Sequence, residues 1–233
     1  MSNDFLTGFS ISYINTLIFY PAYTIIHKQF YKNQSPINIF NKTINKKGYI
    51  GLYSGVSLFS IHLPLVRGGE IYFQRKFQNY KYEPSVNIAL GTFCSNIWKF
   101  FIYPINTFQI NKQVLNNYKR VNPKIYWNGY LYNLVGGSIS SYTWFYTYHT
   151  LNDGFTNNDL KKSTISGSIA SMLSDTVSHP FKVFKLLKQT NSKFKFNIKT
   201  AFRGYFFRLV TNCLQGASYG FLWNQIDKIL ENI

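Results

Sequence analysis

Carboxylates are scarce in this chain: 8 Asp and Glu stand against 25 Lys and Arg, leaving a net charge of +17 over 233 residues. Cysteine is nearly absent. Cys94 and Cys213 lie in separate apolar stretches without a CxxC partner, so neither a disulfide framework nor a zinc site is implied. His27, His62, His149 and His179 fall in separate segments at no ligand spacing, and there is no glycine-rich phosphate loop or nucleophile elbow. An enzyme is therefore not expected, and neither is a metal or cofactor. The amino terminus, MSNDFLTGF, lacks a basic leader, a cleavage site and an Arg-rich amphipathic presequence. No removable targeting peptide is expected, and any address is internal.

What is present is cationic and aromatic, a composition that could track phosphates and stack bases. A nucleic-acid binder, however, spreads its cations over the binding face, whereas these are segregated. No Asp, Glu, Lys or Arg occurs from Phe5 to Ile26, from Ile125 to Asn152 or from Leu209 to Ile226. Stretches of that length can cross a bilayer as helices. The mean hydropathy of −0.13 argues the other way, but much of the polarity is Tyr, Asn and Ser. Those residues suit helices with one face in lipid and the other on a wet interior.

The chain repeats itself. Aligned on Pro21, Pro104 and Pro180, the segments Gly8 to Phe30, Gly91 to Gln113 and Gly167 to Gln189 superpose without a gap. Thirteen residues before each proline stands a glycine (Gly8, Gly91, Gly167), nine before stands a serine (Ser12, Ser95, Ser171), and one before stands a ring (Tyr20, Tyr103, His179). Each segment is followed by a basic stretch and by aromatic-x-Gly (Tyr53 to Gly55, Trp127 to Gly129, Phe202 to Gly204), then by another apolar segment. Three tandem hairpins follow, in one pseudo-symmetric domain over 1–233, with repeats at about 1–82, 83–158 and 159–233.

The expected fold is an all-α membrane protein with spans near 4–28, 55–78, 84–112, 129–151, 163–187 and 205–228. Cations crowd the connections after the odd spans: Lys28, Lys32, Lys42, Lys46 and Lys47; Lys112, Lys119, Arg120 and Lys124; Lys188, Lys193, Lys195, Lys199 and Arg203. The positive-inside rule puts these on the inner side and both termini opposite. Interior prolines predict kinks at Pro21, Pro104 and Pro180. The Gly and Ser pairs at a four-residue spacing predict close helix packing.

Three repeats of this design resemble the mitochondrial carrier family, over nearly the whole chain. The nearest local likeness is Lys47 to Gly55, KGYIGLYSG, with Ser54 where the family's signature usually has Arg or Lys. The resemblance implies six tilted helices around a central cavity, short matrix-side helices, cardiolipin held at helix starts near Gly55, Gly129 and Gly204, and a multi-pass protein of the mitochondrial inner membrane. The departures are equally plain. The family's matrix-side ionic gate would fall on Tyr23, Asn106 and Lys182 at the acidic position and on Ile26, Gln109 and Lys185 at the basic one. The outer gate would fall on Phe73-Gln74, Tyr148-His149 and Trp223-Asn224. Neither ring holds a carboxylate, so closure would depend on hydrogen bonds and rings, each bond worth about 1 kcal/mol net.

If the gate positions face the pore, so do Thr16, Lys99 and Asp175. A lysine at mid-helix costs about 2.5–3.5 kcal/mol on insertion scales, so Lys99 marks a pathway or pairs with Asp175. By the resemblance, the substrate contacts are Ile61 or His62 on the second span, Gly136-Gly137 on the fourth and Thr211 on the sixth, with Arg208 nearly one turn away. Gly136 and Gly137 are similar to the adenine-nucleotide carriers, and Trp144 with Tyr148 forms either a base-stacking pair or ordinary packing. Arg67 and Glu70 are spaced to pair locally. Excess cations (Lys99, Lys182, Lys185 and Arg208 against Asp175) would concentrate an anion. The expected function is exchange of a small anionic metabolite, a nucleotide or deoxynucleotide foremost. The rival is a carrier-like scaffold without transport, and a soluble nucleic-acid binder comes third. A monomer with lipid and an anionic substrate as its partners is expected. The Lys, Asn, Ile, Tyr and Phe bias resembles an AT-rich genome such as that of a parasite, a protist or a large virus, in which last case the membrane would be the host's.

Overall fold

The computed structural model describes residues 3–78, 80–115, 126–152, 159–192 and 196–231, and every regular element among them is helical. The chain runs α1 (Asn3–Lys32), α2 (Pro36–Lys47), a 3-10 turn (Tyr49–Tyr53), α3 (Val56–Gln78), α4 (Pro84–Leu115), α5 (Tyr130–Asn152), α6 (Leu160–Gln189), α7 (Ile198–Ala201) and α8 (Tyr205–Glu231). The six apolar stretches each coincide with a long helix to within a few residues. Ser35 starts α2 by accepting from the Asn38 amide, with Pro36 in the first turn, where its missing N–H costs nothing. Asp159 starts α6 and Asn197 starts α7 in the same way. Through Pro21, Pro104 and Pro180, α1, α4 and α6 each continue as one helix. Among the basic connections, Lys119, Arg120, Lys124, Lys193 and Lys195 lie outside the described residues.

The long helices pack in chain order, α1 on α3, α3 on α4, α4 on α5, α5 on α6 and α6 on α8, and α8 returns to α1, so they close into a ring. Small residues set the tightest approach, as the Gly-x-x-x-Ser spacing leads one to expect. A Cβ on Gly216 would overlap the Gly167 carbonyl and Ser171. One on Gly220 would overlap the Ser163 carbonyl. On α3, Gly69 makes room for the Trp98 ring, whose Nε1 donates to the Leu65 carbonyl at 2.9 Å.

One contact recurs in all three hairpins. The ring before each proline stacks on the aromatic of aromatic-x-Gly: Tyr20 on Tyr53 at 6.1 Å and 19°, Tyr103 on Trp127 at 6.1 Å and 22°, His179 on Phe202 at 6.0 Å and 19°. The same rings reach the carbonyl just before the glycine: Tyr20 donates to Ser54 at 2.6 Å, Tyr103 donates to Asn128 at 2.8 Å, and His179 Nε2 lies 3.2 Å from the Arg203 oxygen. The glycines that follow, Gly55, Gly129 and Gly204, have φ of 86°, 80° and 72°. That left-handed conformation, in which a Cβ is strained, turns the chain into α3, α5 and α8. Two hairpins add a further tie, from Thr24 to the Leu52 carbonyl at 2.6 Å and from Thr107 to the Tyr126 carbonyl at 2.8 Å. The third has Val183 at that position.

Polarity is distributed inside out. Ser12, Asn15, Asn96, Gln109, Gln113, Ser178 and Gln189 are buried, while Ile14, Leu17, Ile18, Phe93, Ile97, Phe101, Ile165, Leu173, Phe206 and Leu214 stand exposed on the outer faces of α1, α4, α6 and α8. Two stretches, Asp4–Lys32 and Tyr49–Gln78, are long and apolar enough to cross a membrane. Inside the ring, two apolar layers lie at different heights. One gathers Ile26, Phe30, Ile110, Val114, Val183, Leu186 and Leu187. The other gathers Ile11, Ile71, Ile88, Phe145, Tyr148, Ala170, Tyr219 and Trp223.

Candidate functional site

The ring encloses a chamber of about 220 Å³, bordered by Phe30, Ile110 and Leu186 of the first layer. A smaller one of about 90 Å³ borders Ile71, Phe145 and Tyr219 of the second. They adjoin, sharing Tyr23, Leu63, Arg67, Glu70, Ser140, Lys182 and Arg208. The lining repeats in register. Counted from Gly55, Gly129 and Gly204, the fourth residue on each helix (Phe59, Asn133, Arg208), the eighth (Leu63, Gly137, Asn212), the twelfth (Arg67, Ser141, Gly216) and the fifteenth (Glu70, Trp144, Tyr219) all face these chambers. On α1, α4 and α6 the positions two after each proline (Tyr23, Asn106, Lys182) and six after (His27, Ile110, Leu186) do the same. These spacings keep to one face of a 3.6-residue helix.

Charge in and beside the chambers is arranged as two carboxylates, Glu70 in the lining and Asp175 behind it, each held between two cations. Glu70 accepts from Arg67 at 2.6 Å and from Ser141 at 2.6 Å and is ion-paired with Lys99, which itself donates to Ser141 at 3.0 Å. Asp175 Oδ1 receives Lys182 at 2.7 Å and Arg208 at 2.8 Å. Of the two readings of Lys99, the pair with Asp175 does not form: α4 packs against α3 and meets Glu70, while Asp175 faces α8 and Lys182 of its own helix. Arg67 and Glu70 pair across one turn as their spacing suggests. The fifth cation, Lys185, lies 5.5 Å over the Tyr103 ring, a cation–π contact.

Other expected positions divide. Thr16 is buried and donates to the Ser12 carbonyl of its own helix at 2.7 Å, so of the three residues five before the prolines only Lys99 lines a chamber. Of the two candidates on α3, Ile61 points outward at 53% exposure and His62 lines the chamber, with its Nδ1 buried and without a hydrogen bond among the described residues. Gly136 and Gly137 both line the chamber; a Cβ on Gly136 would overlap Phe181, so that glycine also serves contact with α6, whereas one on Gly137 meets open space. Thr211 donates to the Phe207 carbonyl at 2.9 Å and lines neither chamber, and Arg208 and Asn212 face inward in its place. Trp144 and Tyr148 stack at 5.0 Å and 7°, and Trp223 stacks on both. Tyr148 is 1% exposed. Its ring belongs to the apolar layer and is not open to a base.

Besides Lys182 and Lys185, the gate positions carry an uncharged network. Gln109 donates to Gln113 at 2.7 Å, Gln113 to Thr24 at 2.8 Å, and Gln189 to Asn106 at 2.9 Å, which links α1, α4 and α6. His27 Nδ1 sits 2.6 Å from the same Gln113 amide oxygen. Tyr23 bonds to Gln215, and Ile26 is in the apolar layer. At the second layer, Gln74 on α3 donates to Thr92 at 3.1 Å. Arg75 lies 5.3 Å over the Trp223 ring. Gly55, Gly129 and Gly204 pack against Gln109, Lys185 and Gln29 of the next odd helix around the ring.

Sequence reasoning missed Glu70 as a cavity carboxylate. Its signal was present, since Glu70 is the only acid between Asp4 and Glu83 and sits in an apolar helix. No family model matches this chain, and no curated protein matches it.

Proposed function

We propose that the chain is a divergent carrier of the mitochondrial type, with six spans in three repeats, moving a small anion through the central cavity by alternating access. The observation that carries this reading is the charge in and beside the chambers. Arg67, Lys99, Lys182, Lys185 and Arg208 in the lining stand against Glu70 in the lining and Asp175 behind it, an excess of three cations between two apolar layers. In such a low-dielectric enclosure, excess positive charge draws in an anion. The apolar exterior and the basic connections favour a membrane, and the resemblance names the mitochondrial inner one. Cardiolipin phosphates would accept from amides in the first turns of α3, α5 and α8, where helix N-termini favour anions. Substrate size favours compact anions: the larger chamber, about 220 Å³, is below the roughly 300–1,000 Å³ of pockets for drug-sized ligands. A nucleotide would need the chamber to widen.

The test is uptake into proteoliposomes of labelled phosphate, dicarboxylates and nucleotides, with a thermal-shift screen alongside. A ligand at a hundredfold excess over its dissociation constant should stabilise the fold by about 2.7 kcal/mol. Lys99→Ala and Lys185→Ala should abolish both uptake and shift. The second reading, a scaffold that keeps the fold without transport, draws on the gate positions, where Asn106, Gln109 and Ile26 supply amides and an apolar group and no position holds a carboxylate. A folded protein that takes up none of these anions decides for the scaffold. Extraction by salt without detergent would remove both readings.

A further inference from the structure

We infer that the cleft between the end of α1 and α2 is a second anion site, separate from the central cavity and made for a phosphate-bearing ligand. Asn33, at φ 52°, turns the chain back after α1, and α2 docks through Ile39, which packs on Ile25 and Leu52. The cleft so formed measures about 270 Å³ and is lined by Lys28, Lys32, Lys42, Lys46 and Lys47 around Gln34 and Thr43, without an Asp or Glu in its lining among the described residues. Lys28 is 6% exposed, and its Nζ donates to the neutral Thr43 hydroxyl at 3.1 Å. Lys42 donates to Gln34 at 3.2 Å. An ammonium has three donors, and burying one without an opposite charge is costly.

Two features separate this cleft from an ordinary cationic surface. The C-termini of α1 and α2 attract cations, but each supplies only about half a negative charge. That does not balance Lys28, Lys32, Lys42 and Lys46 together. Nor does the fold require lysine there. The residues matching Lys28 in the other repeats are Asn111 and Leu187, and those matching Lys32 are Leu115 and Asn191. At these two positions the charge belongs to the first repeat alone. Flexible ammoniums converging on one small space suit a compact, multiply charged phosphate group, which they bind as point charges. That chemistry reaches the cleft either as the headgroup of an anionic phospholipid or as free phosphate in solution.

The experiment uses the full chain in detergent after delipidation. The wild type is compared with a Lys32→Gln/Lys42→Gln/Lys46→Gln variant, whose changes fall on exposed side chains and spare the buried Lys28. Pyrophosphate is titrated calorimetrically, and retention of cardiolipin from phosphatidylcholine discs doped with it is measured in parallel. The triple variant should bind pyrophosphate at least about tenfold more weakly, or lose cardiolipin while pyrophosphate is unaffected. The first result assigns the cleft to soluble phosphate and the second to lipid. Lys185→Gln, run beside it, reports on the central cavity. Pyrophosphate and cardiolipin binding that match wild type in the triple variant, or a loss seen only with Lys185→Gln, would overturn the assignment.

Discussion

Asp175 holds two cations on one oxygen, Lys182 at 2.7 Å and Arg208 at 2.8 Å, at 1% exposure. Asp175→Asn keeps the shape and removes the charge, leaving both cations without a counter-ion. Breaking a buried pair from one side costs about 3–5 kcal/mol. Thermal unfolding in detergent should show a large drop in the midpoint, partly restored by whichever anion binds the cavity. An unchanged midpoint would mean that water already screens the pair. His179 is the opposite case. It fills the place of Tyr20 and Tyr103 with the same stacking geometry, so His179→Tyr should alter stability by no more than about 1 kcal/mol. The ring positions were legible in the sequence because three copies state them. The Lys99–Glu70 pair was not, since it depends on which helices are neighbours and at what height, and no periodicity within one helix encodes that.

Helix contacts make a sharper distinction among the glycines. Gly216 and Gly220 sit where a Cβ would strike the backbone of α6, whereas Gly137 faces open space. Gly216→Val or Gly220→Val should therefore drive α6 and α8 apart, with an overpacking cost of about 1–3 kcal/mol or more. Gly137→Ala should be neutral or slightly stabilising, because alanine is the better helix former by about 1 kcal/mol. Denaturation of the three variants in one detergent checks the order, and equal losses would contradict the packing. Helix positions were readable from the charge-free stretches and the prolines. The packing of Gly136 on Phe181 and the turn of Thr211 away from the cavity were not: one residue along a helix is a turn of about 100°, enough to move a side chain from cavity to neighbouring helix.

For the molecule as a whole, the inside-out arrangement sets the conditions under which it stays folded. Apolar side chains stand exposed on four of the long helices, and large exposed apolar patches mark a membrane or partner surface. The chain should stay with membranes through a high-salt wash and come off only with detergent, as fractionation would show. Release by salt alone would remove the membrane reading. The central cavity was an expectation of the resemblance, and the long helices do close into a ring; similar units that cannot bury a face alone must stack or close on each other. The three units are not held equally, however. Thr24 and Thr107 tie α1 and α4 to the chain just before α3 and α5, but Val183 brings no hydroxyl to the third position. The structure is a three-legged stool with one leg pinned at fewer points, and backbone amides around α7 should exchange with deuterium sooner than those of the 3-10 turn before α3.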